Sequence, residues 1–121
     1  MEDIRSQQLE VLEEAKEYCS KVLHCIDTVI PELKTDKKDD TDEYLRMTVD
    51  AVNNTLEMYN ATRELVQESS DIDETAVNEA VKKLGTALKS GVDSDKADAL
   101  DGMRDFIQAY GKAAESIVSA E

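Results

Sequence analysis

Residues 44–66 read YLRMTVDAVNNTLEMYNATRELV, and the spacing within them decides the fold. Leu45, Val49, Val52, Leu56, Tyr59 and Val66 recur at alternating steps of four and three. That period places them on one face of a helix and does not suit the two-residue repeat of a strand. Met47, Ala51, Met58 and Leu65 broaden the apolar arc to roughly 200°. Arg63 interrupts the apolar face near its end. A charge in that position must reach an acid, a helix end or solvent, because burial without a partner is prohibitive.

The same pattern extends in both directions. Upstream, Leu9, Leu12, Cys19, Leu23, Ile26 and Ile30 share one face, flanked by Val11, Tyr18, Val22, Cys25 and Val29. This predicts a helix over 4–30, ended or kinked by Pro31, which lacks a donor and disfavours helical geometry before it. Downstream, Val77, Ala80, Val81, Leu84 and Leu88 predict a shorter helix over 72–90, stopped by Gly91. Leu100, Met103, Ile107, Tyr110, Ala114 and Ile117 predict a last helix over 95–120. Asp40 with Glu43, and Asp71 with Glu74, have the spacing of an acidic capping box at two of the starts. Gly102 and Gly111 fall inside the last helix, where a close helix contact or ordinary drift accounts for them. Short connections make sequential helices antiparallel. The expected fold is all-α, one antiparallel up-down-up-down four-helix bundle spanning 1–121.

Composition narrows the function. The 121 residues carry 28 acids against 14 bases, a formal net charge of −14. That balance opposes binding to nucleic-acid backbone or to an anionic membrane surface, both of which reward Lys and Arg. Met1-Glu2-Asp3 opens the sequence without a basic, apolar leader, and a cytoplasmic location is the expectation. Cys19 and Cys25 sit about 120° apart on the first helix, so they cannot bridge there. They read as small core residues in a reducing compartment.

Catalytic and metal chemistry find little purchase. A di-metal bundle site needs Glu-x-x-His on two helices, whereas His24 is the sole histidine and Lys21 stands three before it. Asp93, Asp95, Asp98 and Asp101 imitate a calcium-loop run, but the sixth and twelfth places hold Asp98 and Arg104, where Gly and Glu are needed. No base accompanies either cysteine in the pattern, and no phosphate-binding glycine loop follows a strand. No cofactor, no metal and no enzymatic activity are expected.

What remains is the width of the apolar arcs on the first two helices. The flanks Val11, Tyr18, Cys25 and Val29, with Met47, Met58 and Leu65, either complete the core or exceed what the last two helices cover. In the second case they form a partner-binding strip, and Met suits adaptable grooves. The expected partner is an amphipathic helix of another protein. The alternative is self-association as a structural homodimer or assembly component.

In size, acidity and helical pattern the chain resembles the small all-helical bacterial export chaperones, including those of flagellar secretion. The resemblance spans the whole chain as an architecture and rests on no motif within Asp40–Leu65 or elsewhere. It implies a cytoplasmic chaperone or adaptor that holds amphipathic helices of a client.

Overall fold

The computed structural model describes residues 4–120. Four helices follow one another: α1 (Ile4–Lys34), α2 (Thr41–Ser69), α3 (Glu74–Ser90) and α4 (Asp93–Ala120). They form the expected all-α bundle, and no strand occurs among the described residues. The core is a set of seven-residue repeats. In α1 the buried side chains are Leu12, Ala15, Cys19, Val22, Ile26, Val29 and Leu33, separated by alternating threes and fours. In α2, Leu45, Val52, Tyr59 and Val66 alternate with Thr41, Thr48, Thr55 and Thr62, all buried. Such spacing keeps one seam facing a neighbour along the whole helix.

The threonine series was not anticipated, because threonine counts as polar in an apolar-period search. Each hydroxyl is nevertheless satisfied. Thr48, Thr55 and Thr62 donate to the carbonyls of Tyr44, Ala51 and Met58, four residues back, at 2.8–2.9 Å. Their methyl groups then face the core while the polar atoms stay bonded. Thr41 does more: its hydroxyl accepts from the Lys38 amide and donates to Glu32, tying the α1–α2 turn to both helices. Asp40, expected to cap α2, makes no side-chain cap bond.

The other boundaries shift for local reasons. Helix α1 runs four residues beyond Ile30, through Pro31. Proline there frees only the Asp27 carbonyl, near the helix end and on an exposed turn. Continuing the helix buries Leu33 and places Lys34 3.3 Å from Asp98 of α4. A fully buried leucine is worth roughly 1.5–3 kcal/mol, comparable to the disruption. Helix α3 starts at Glu74 because the Asp73 carboxylate accepts from the amides of Thr75 and Ala76. Asp71 is therefore not the cap. Helix α4 starts at Asp93, two residues early, taking Asp93 and Asp95 into its first turn. Acids there complement the helix dipole. Gly91 adopts the left-handed conformation at φ 75°, as the stop after α3 required.

Packing makes α4 the hub. It lies against α1 along most of its length and also contacts α2 and α3, while α1 packs on α2. Among the described residues, no Cα of α3 comes within 8 Å of α1 or α2. The widest buried arc accordingly belongs to α4, where Ala97, Ala99, Phe106 and Ala113 join the six expected inward residues. Gly111 marks a close α1–α4 approach: a Cβ there would lie 3.1 Å from Cys19 Cβ. Gly102 has no such neighbour.

Candidate interaction surface

The outer seam between α1 and α2 collects what the two arcs leave uncovered. Tyr18 and Cys25, seven apart on α1, come together there with Met47 of α2, whereas Val11 and Met58 do not line the opening between them. Val11, Tyr18, Cys25 and Met58 are half-buried, and Met47 is 62% exposed. Tyr18, Cys25, Met47 and Ala51 line a shallow groove of about 340 Å³ there, with Lys21, Asp50 and Asn54 at its edge. Asn54 donates to the Tyr18 hydroxyl at 3.1 Å, which fixes the ring along the groove wall. Beside it, the Tyr44 hydroxyl is held above its ordinary pKa, first by the neighbouring Cys25 thiol and then by desolvation.

Two of the seven expected positions are sealed in the core. Val29 is 0% and Leu65 6% exposed, so both are core residues and neither can meet a partner. Val29 is part of the α1 heptad seam, and Leu65 lies beside Val66 at the closed end of α2. A broad arc read from spacing alone assigns too much to the flank, because the centre of the α1 seam lies toward Val22 and Val29.

Charges of both signs surround the groove. Glu14, Glu17, Asp50 and Glu57 are exposed and within a turn of groove residues, as are Lys21 and Arg46, so exposed acids outnumber exposed bases there. Thiol chemistry has no foothold inside. Burial pushes the Cys19 thiol up to about 12, so it stays protonated at neutral pH. Among the described residues, no three His, Cys, Asp or Glu side chains gather as a metal ion would require.

A second opening lies between α2 and α3. Leu56 and Tyr59 of α2 and Val77 and Val81 of α3 line a cleft of about 300 Å³. Its upper end is closed by Arg63, whose guanidinium grips the Glu74 carboxylate through Nε and Nη2. The Tyr59 hydroxyl donates to the same carboxylate at 3.0 Å. Arg63 thus reaches an acid, one of the three outcomes open to it. Its hydrogen bonds hold the Glu74 carboxyl below the usual carboxylate range, while burial raises the Tyr59 phenol. The sequence signal for this pair was the charged interruption at Arg63. Its partner could not be identified, since Glu74 read as a capping residue.

Residues 10–102 match the model of a family described as a domain of unknown function (DUF8042). No curated protein and no solved structure matches the chain.

Proposed function

We propose that this chain, which belongs to the DUF8042 family, is a non-enzymatic interaction module that binds a basic amphipathic helix of a partner protein. The helix lies along the outer α1–α2 seam. The observation that carries this reading is the exposure of Met47 beside Tyr18 and Cys25 in an apolar groove, on a chain whose acids outnumber its bases. A docked helix would cover Met47, Tyr18 and Cys25 together, at roughly 25 cal/mol per Å² of apolar area removed from water. Glu14, Glu17, Asp50 and Glu57 would meet lysines or arginines flanking the partner's apolar stripe, which sets orientation and speeds encounter. The net charge of −14 draws such a partner from a distance. A chaperone or adaptor with a cytoplasmic client fits this chemistry.

The test titrates the full chain with a fluorescein-labelled model helix of leucines on one face and lysines on the other. Binding should weaken at least tenfold in Met47→Asp, with helical circular dichroism unchanged. A Met47→Leu control should bind as the wild type does. Equal binding by Met47→Asp, or none by the wild type at low salt, overturns the assignment. A concentration-independent dimer that Met47→Asp converts to monomer would instead give the seam to a second copy of the chain.

A further inference from the structure

The four helices are not equally anchored. The backbones of α1, α2 and α4 approach one another pairwise, whereas that of α3 approaches α4 alone and meets α2 only through side chains. Removing α3 therefore breaks its packing on α4 and its side-chain tie to α2, and leaves the α1–α4, α1–α2 and α2–α4 interfaces in place. It is also the shortest helix, with 17 residues. It buries only Val77, Leu84 and Ala87, and leaves Val81 and Leu88 partly exposed on its own apolar stripe. Gly85 sits in its middle with nothing within 4 Å of where a Cβ would be, so packing does not require that glycine. The residue only lowers helix propensity. Both ends of α3 lead into short connections, 70–73 and 91–92, the second held by Gly91 in the left-handed conformation.

Against this thin packing stands one side-chain tie. Glu74, in the first turn of α3, takes both the Arg63 guanidinium and the Tyr59 hydroxyl of α2. Through Tyr59 the tie reaches the aromatic cluster of the core. The Tyr59 ring meets Phe106 edge-on at 5.3 Å and Tyr110 at 5.5 Å. Next to the cluster, Ile72 and Val77 face Gly102 and Phe106 across the α3–α4 junction.

We propose that α3 is a detachable element, which unfolds as a unit from a persisting α1–α2–α4 trio and is latched at its leading end by Glu74 on Arg63 and Tyr59. Because both ends of α3 stay tethered, opening means local melting of 70–92 into a loop, with no rigid swing. Elements with few buried apolar contacts open below the global free energy in this way. Opening bares the Phe106 side of α4 and the Tyr59 edge of α2, a conditional apolar face distinct from the α1–α2 seam. The inference does not depend on the binding role proposed for that seam.

Hydrogen exchange of the full chain, followed by mass spectrometry under native conditions, tests this. Amides of 77–90 should exchange at least tenfold faster than the best protected amides of α1 and α4. Glu74→Gln removes the charge of the latch and should speed exchange in α3 by roughly two- to fivefold. Gly85→Ala restores helix propensity and should slow it by up to roughly fivefold. Neither change should move the protection of α1 and α4. Gly85→Ala adds stability, so its reading does not depend on a weakened fold. If wild-type α3 is protected as well as α4, or if both variants shift all four helices together, the element is not independent and the proposal fails.

Discussion

The hydroxyls of Thr62 and Tyr110 meet 2.8 Å apart in the sealed centre of the bundle, joining α2 to α4. Both side chains are fully buried. Thr62 has a second partner, the Met58 carbonyl at 2.8 Å, whereas no other hydrogen bond joins the Tyr110 hydroxyl to a described residue. Burial pushes the Tyr110 phenol up to about 12, so it is neutral at any physiological pH.

That asymmetry sets the first expectation. Thr62→Val leaves the Tyr110 hydroxyl buried and unpaired, which costs about 1–3 kcal/mol. Thr55→Val removes only a back-bond to the Ala51 carbonyl and should cost less. Urea denaturation of the two variants ranks them. Equal midpoints would show that the Thr62–Tyr110 bond contributes nothing.

The glycines of α4 should respond in opposite ways. Gly102→Ala meets no atom within 4 Å and should gain up to about 1 kcal/mol from helix propensity. In Gly111→Ala the new methyl would press on Cys19 Cβ at 3.1 Å, an atom fixed to the α1 backbone that cannot rotate away. The gain should vanish or turn into a loss. Thermal melts of the two single variants decide the matter, and a matching rise in both would remove Gly111 as the mark of close α1–α4 approach.

Acid should loosen the bundle at two surface ties. Glu74 is held below the usual carboxylate range by Arg63, and Asp93 by its hydrogen bond from Lys37 at 3.0 Å. Folding lowers both values, so the unfolded state binds more protons as pH falls. The stabilisation is complete above the ordinary carboxylate pKa of about 4 and is lost as pH drops through the folded values. Melting temperatures measured between pH 7 and pH 3 should fall at the acid end. Arg63→Ala should flatten part of that fall, and an unchanged slope would show that the Glu74 tie carries none of it.

Much of this architecture was legible in the residues. The alternating threes and fours around Leu45, Tyr59 and Leu100 require helices whatever they pack against, and Gly91 stops α3 because only glycine takes that φ cheaply. Helix ends were less legible, since they depend on which neighbour a terminal residue finds. Leu33 finds core, and Asp73 outcompetes Asp71 for the free amides of α3. Exposure along the broad arcs was half legible: Met47 is open and Tyr18 and Cys25 are half-buried, yet Val29 and Leu65 from the same arcs are sealed.

Periodicity belongs to a single helix, so the chain by itself determined how many helices form and which stripe of each is apolar. Which stripes meet is a property of pairs, and only the tertiary structure decided it. Small side chains let α4 approach three neighbours at once, while the backbone of α3 approaches only one. That choice put Thr62 against Tyr110, gave Arg63 its carboxylate on Glu74, and determined which apolar flanks remained in contact with water.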